Sequence, residues 1–179
     1  MLHGLHTVAT RCLQGEAVLD RAGRPTGQWC FDSAGAQRAV ELNPVNQWNQ
    51  ACFGDLLSYI GRADEGLEML RNARRADPYF GPPWYWRSLG IAQFVLRRYA
   101  DALADFERGV TSSARYGLAM MAGCYGKFGV ANRARELVAE ILTRQPKGTI
   151  DKLLTKIPFK QASDSEHLAE CLRMAGMPE

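Results

Sequence analysis

Three prolines constrain this 179-residue chain more than any other feature, because each closes a run with helical periodicity. Pro44, Pro78 and Pro146 end the stretches ELNP, RADP and TRQP, and they stand 34 and 68 residues apart. A proline cannot continue a helix and biases the residue before it towards extended backbone, so each marks a stop. A 34-residue period leaves room for two helices and a turn. Such a unit cannot bury its apolar face alone, so successive units must stack. The expected architecture is therefore an all-α linear array without a central core. Composition agrees: Ala and Leu number 23 and 19, against 20 for Val, Ile and Thr together, a balance that favours helix over sheet.

Inside the period, certain positions demand particular sizes. The middle unit contains Trp86-x2-Leu89-Gly90, with Gln93 at the next aromatic place, then Ala102-x3-Phe106. The unit before it carries Gln50, Phe53, Gly54 and Leu57, then Gly66 and Leu70. The unit after it carries Leu118, Met121, Ala122 and Tyr125, then Ala134 and Val138. Small residues admit a neighbouring helix and large ones fill the space beside it. This pattern resembles the tetratricopeptide repeat (TPR) closely. The resemblance implies an α–α superhelix with three repeats at about 47–80, 81–114 and 115–146. Residues 1–46 are expected to form a degenerate helical hairpin, with a helix over 4–21 and another over about 28–42. Residues 147–179 are expected to form capping helices.

Two residues are gained between the first and second units and two are lost before the third. Helix A of the middle repeat should therefore begin late, near Pro83, where a first-turn proline is favourable. The inter-helix turns recur as Ile60-Gly61-Arg62, Arg97-Arg98-Tyr99 and Phe128-Gly129-Val130. Gly61 and Gly129 take the left-handed position, and Arg98 is expected to replace them in the middle turn. In the tail, Ile150, Leu153, Leu154 and Ile157 recur at helical spacing before Pro158. Ser163 and Glu166 form a candidate capping box for a last helix, with Leu168, Cys171, Leu172 and Ala175 on one face, closed by Gly176.

The tail carries a second resemblance. IPFK followed by SDSEHLAECLRMAGMPE, together with RAVELNP, YIGRADEGLEML and PPWYWRSLGIAQFVLRRYADAL, is similar to the C-terminal TPR region of bacterial class III adenylate/guanylate cyclases. It covers about residues 36–179. The catalytic domain of that family is absent from this sequence, so none of its nucleotide or metal residues can be assigned. The resemblance implies a regulatory or scaffold role in the cytoplasm, for a free-standing adaptor or a region of a longer protein.

Charge and chemistry point the same way. Lys and Arg exceed Asp and Glu by 22 to 19, which is too even for a nucleic-acid binder, and the arginine clusters fall at helical spacing or in turns. The five cysteines are widely spaced and offer no CxxC pair, so reduced small apolar residues are expected. The N-terminal stretch lacks a basic region followed by an apolar run, so neither a signal peptide nor a membrane span is expected. There is no HExxH, phosphate-binding glycine loop or nucleophile elbow. His167 reads as an exposed helical histidine. Asp64 and Asp101 fall at helix starts, where a carboxylate favours the dipole. No catalytic residue, cofactor or metal is assigned.

The resemblance implies a concave groove lined by the second, fifth, ninth, twelfth and thirteenth residues of each repeat. The second positions are Trp48, Trp84 and Tyr116, which are expected to form an aromatic ladder. Arg87 is a fifth position, and Asp55, Tyr59, Phe94 and Lys127 come later. Aromatic and Arg side chains dominate interface energetics, so a peptide or helix partner is expected here. Chaperone-tail clamps in the family need Lys and Asn where this chain has Ala51 and Asp55, which argues against that subtype. The alternatives are a small-ligand-binding or enzymatic helical-repeat protein, or a structural module that makes a homo-oligomer through the tail helices.

Overall fold

The computed structural model describes residues 17–19, 25–29, 33–109 and 115–179. A short antiparallel ribbon comes first, with β1 (Ala17–Leu19) pairing β2 (Pro25–Trp29), Ala17 opposite Trp29 and Leu19 opposite Pro25. This departs from the helix expected over 4–21, of which residues 17–19 are extended; its residues 4–16, 20 and 21 lie outside the described residues. Pro25 fixes its own backbone and biases its predecessor towards extended conformations, and Gly27 weakens any helix there. The helix expected from about residue 28 accordingly begins only at Ser33.

Nine helices follow among the described residues: α1 (Ser33–Leu42), α2 (Gln47–Tyr59), α3 (Ala63–Ala76), α4 (Pro83–Val95), α5 (Tyr99–Gly109), α6 (Arg115–Lys127), α7 (Ala131–Arg144), α8 (Ile150–Leu154) and α9 (Ala162–Met174). They form three antiparallel hairpins, α2–α3, α4–α5 and α6–α7. Each hairpin packs on the next through both of its helices. The starts follow from local chemistry. Asn46 caps α2 by accepting from the Asn49 amide at 3.0 Å. Pro83 opens α4 in the first turn, at the late start expected for it.

Helix pairs meet where a side chain is missing. A Cβ on Gly54 would stand 2.7 Å from the Gly66 carbonyl oxygen, and one on Gly66 would stand 2.6 Å from that of Gly54. Ser58 ties the same crossing by donating to the Gly54 carbonyl at 2.9 Å. In the second repeat, Gly90 lies under the Phe106 ring, which an added Cβ would approach to 2.6 Å. Ala122 holds the equivalent place in the third repeat and is fully buried. The link from α3 to α4 is braced by Trp86, whose indole N–H donates to the Gly81 carbonyl at 3.1 Å. Its ring lies between the guanidinium groups of Arg74 and Arg108, at 4.7 and 4.8 Å. Tyr85 reaches back to donate to the Leu70 carbonyl at 3.1 Å.

The turns follow the expectation with one shift. Gly61 and Gly129 have φ of 87° and 71°, and the residue that adopts this conformation in the middle turn is Arg97, at 63°, rather than Arg98. The chain leaves α4 one residue earlier relative to its turn than the sequence alignment of the three turns implied. At the other end of the fold, α9 has Gln161 at its N-cap without a side-chain cap, so the Ser163–Glu166 capping box does not form. Both residues lie inside the helix.

Replacing Gly66 by Ala should lower the unfolding free energy by about 1–3 kcal/mol, because the methyl group drives into a backbone oxygen that cannot move aside. The urea midpoint measures it. An unchanged midpoint would mean that the α2–α3 crossing is looser than described.

Candidate functional site

The eight expected groove residues come from the A helices α2, α4 and α6, and they fall into three groups. The first group lies near the N-terminal ends of these helices. Trp48 and Trp84 approach to 5.7 Å between ring centroids, and Phe80 packs edge-on against both, at 5.2 and 6.1 Å. Trp48 remains 40% exposed while Phe80 is buried. Phe80, from the link that carries the two extra residues, joins the aromatic group. The sequence reading did not assign it to the groove.

The second group is polar. Asp55, Tyr59, Arg87 and Tyr116 come from three successive A helices and feel one another's charge. Burial pushes the Asp55 carboxyl above its ordinary value, against the opposing pull of Arg87 and a hydrogen bond with Ser88. Burial also raises the Tyr59 phenol, with Asp55 and Tyr116 adding to the effect and Arg87 opposing it. Asp55 Oδ1 and Arg87 Nε are buried and lack a hydrogen-bond partner. Orphaned polar atoms are costly in a folded protein, so the pair marks a place where polar contacts are left to be made.

The third group is covered. Phe94 is fully buried, and the ring nearest to it is His167 of α9, at 5.3 Å. Lys127 pairs with Glu170 of α9 at 2.8 Å. The tail covers the last hairpin and also reaches the first two repeats. Phe159 packs on Tyr59 with centroids 5.6 Å apart, and the Lys160 amide donates to the Tyr59 carbonyl at 2.9 Å. His167 stacks on Tyr99, with Tyr99 Oη and His167 Nε2 3.0 Å apart. Cys171 and Ala175 then seat on α6, where Gly123 and Gly126 have no side chains. A Cβ on Gly123 would meet Cys171 Cβ at 2.9 Å, and one on Gly126 would meet the Ala175 nitrogen at 2.9 Å. The short helix α8 buries Ile150 and Leu153 in the same core cluster as Leu137, Val138 and Ile141 of α7. The Ile150 amide donates to the Pro178 carbonyl at 2.8 Å, which fastens the end of the chain to α8.

His167 is therefore a buried residue, 8% exposed, and not the exposed helical histidine that its flanking glutamates suggested. Burial, reinforced by the charges of Arg97 and Lys127 and opposed by Glu170, lowers it to about 4. Its imidazole is neutral at pH 7. Beside it, burial raises the thiols of Cys124 and Cys171 to about 12 and about 11, so neither is a ready nucleophile. Among the described residues, no group of three His, Cys, Asp or Glu side chains could hold a metal ion. Among the same residues, no helix is long and apolar enough to cross a membrane.

Three stacked helical hairpins with a concave face built from their A helices define a tetratricopeptide-type α–α superhelix. No family model matches the sequence, and no curated protein matches it. Solved structures do match the fold. YrrB, described as a TPR protein with an unusual peptide-binding site, superposes with a TM-score of 0.55 at 19% identity, over 80% of this chain and 74% of YrrB. Two structures of MamA also superpose with TM-scores of 0.55. One is 16% identical over 88% of this chain and 94% of MamA, the other 13% identical over 98% and 91%.

The position of His167 makes stability depend on pH. The unfolded chain takes up a proton near pH 6.5, whereas the folded chain resists it until about pH 4. Stability should fall as pH drops through that window, since the unfolded state binds the extra proton. Asp55, Asp105 and Asp164, all raised by burial, act in the opposite sense. The contribution of His167 is thus the difference between the parent and His167→Phe. Melting temperatures from pH 7 to 4.5 should fall more in the parent; parallel curves would show that the imidazole is not buried in the neutral form.

Proposed function

We propose that this chain is a non-enzymatic interaction module that binds an extended peptide or a helix in the open part of its concave face. The observation that carries this reading is the meeting of Trp48, Trp84 and Phe80 beside the polar group of Asp55, Arg87 and Tyr116. A partially exposed aromatic cluster beside an arginine and orphaned polar atoms has the composition of an interface hot spot. Trp84, Asp55, Arg87 and Tyr116 are each half-buried, so they offer contact area at low ordering cost. The peptide-binding site ascribed to YrrB supports the choice of a peptide as partner.

A finer part of the reading rests on the tail. The resemblance of residues 36–179 to the TPR region that follows bacterial cyclase domains supports a regulatory or scaffold role in the cytoplasm, in which the module relays or positions a catalytic partner rather than performing chemistry. Phe94 and Lys127 belong to the face that α9 covers and do not take part while α9 is seated.

The test is a peptide selected from a random display library on the immobilised chain. Trp84→Ala and Arg87→Ala should each weaken that peptide about 10–100-fold, the loss expected of hot-spot truncation, with unchanged circular dichroism. Retained affinity in both variants would remove the open groove as the binding site.

A further inference from the structure

The net charge of the chain is concentrated in one stretch. Residues 147–160 hold four of the five lysines, Lys147, Lys152, Lys156 and Lys160, with Asp151 as the one acid among them. Outside that stretch the chain carries eighteen Lys and Arg against eighteen Asp and Glu, so these fourteen residues account for the whole excess of three. All four lysines are exposed. Many arginines elsewhere sit beside acids: Arg62 on Glu65, Arg75 on Glu68, Arg133 on Glu136 and Arg144 on Glu140, at 2.6, 2.7, 2.8 and 2.5 Å. Among the described residues, no carboxylate pairs with any of the four lysines, and the Lys152 ammonium donates to the Lys147 carbonyl at 2.8 Å.

Packing fixes where this strip lies. Ile150, Leu153 and Ile157 are buried in one core cluster with Leu137, Val138 and Ile141 of α7, so the apolar side of the segment is taken up by the fold. The lysines recur at intervals of five, four and four and are left in solvent. The strip starts just beyond α7 of the third repeat and ends on the first. There the Lys160 amide donates to the Tyr59 carbonyl at 2.9 Å, and Phe159 packs on the Tyr59 ring. Tyr59 belongs to the polar group with Asp55, Arg87 and Tyr116, so the strip is continuous with the open part of the concave face.

We propose that the lysine strip docks an acidic, extended segment of the protein partner that the concave face binds. A row of unpaired ammonium groups steers an acidic chain to its seat and repels a basic one. Two other polyanions fit the strip less well. An amphipathic segment that lies on a membrane needs a free apolar face, and here Leu154 and Phe159, the partly buried apolar residues, pack on the same core as Ile150 and Ile157. Single-stranded nucleic acid is held by aromatic rings and arginines that stack on bases; residues 147–160 contain no arginine, and their one aromatic ring rests on Tyr59. This deepens the reading of the concave face as a peptide-binding surface and rests on it. The strip is tested with peptides that lack aromatic residues, so its failure is distinguishable from failure of the Trp84 and Arg87 test.

The probe is a labelled peptide of alternating Glu and Ser, about fourteen residues long, titrated onto the full chain at low salt, with alternating Gln and Ser as the neutral control. The acidic peptide should bind and the neutral one should not. Replacing all four lysines by Gln should weaken the acidic peptide about tenfold or more, and raising the salt from about 0.05 to 0.3 M should weaken binding to the parent in the same direction. Circular dichroism checks the fold. If Lys152→Gln disturbs it, the triple variant of Lys147, Lys156 and Lys160 gives the same comparison. Equal binding by parent and variant, or no binding of the acidic peptide to the parent, would overturn the proposal. Lysine-dependent binding of phosphatidylserine vesicles or of a DNA duplex that is tighter than that of the acidic peptide, at about 0.15 M salt, would overturn it in favour of that polyanion.

Discussion

The close approach of paired helices at positions without side chains is the contact on which the rest of the structure depends. At Gly54 and Gly66 two backbones come within the distance of a single Cβ, and at Gly90 an aromatic ring fills the same space. That approach fixes how each hairpin presents its outer surfaces, and hence where the next hairpin can dock. Each hairpin packs on the next, so stability is built through a series of interfaces. The superhelix and its concave face are consequences of this repeated contact.

The same device recurs once with a different partner. Gly123 and Gly126 do not face a helix of their own repeat but admit α9, and the tail as a whole, from Phe159 to Ala175, runs from Tyr59 to Gly126. The face is thereby divided into two parts. One end presents Trp48, Trp84 and Phe80 with Asp55 and Arg87 alongside; the other is filled by Phe159, His167, Cys171 and Ala175. The buried neutral imidazole of His167 between Phe94 and Tyr99 couples that filling to pH, since protonation would place a charge among aromatic rings.

Much of the stack is legible in the sequence, because a 34-residue period combined with small and large residues at fixed places admits few other arrangements. The late start of α4 at Pro83 and the left-handed glycines at 61 and 129 follow from local chemistry that tertiary contacts do not override. The errors lie where tertiary contacts decide. His167 looks exposed beside Glu166 and Glu170, yet it lies on the buried face of its helix with Leu168 and Cys171, while the two glutamates are exposed. Ser163 and Glu166 satisfy a capping pattern, but the helix begins two residues too early for them to cap it. Pro25 and Gly27 break the helical pattern near the N-terminus and leave a strand pair. The course of α9 was hidden for a simpler reason: an amphipathic tail helix has the same pattern whether it caps the end of a stack or lies along its face. The paired glycines of α6, with Cys171 and Ala175 at matching spacing, are the signal that separates the two.

The most direct measurement is a set of nuclear Overhauser contacts from the His167 ring in the full chain at pH 7. Strong cross-peaks to the rings of Phe94 and Tyr99 are expected, because their centroids lie 5.3 and 5.8 Å from the imidazole. Cross-peaks to Leu137 and Ile141 of α7 in their place would put α9 on the end of the stack and contradict a tail seated along the concave face.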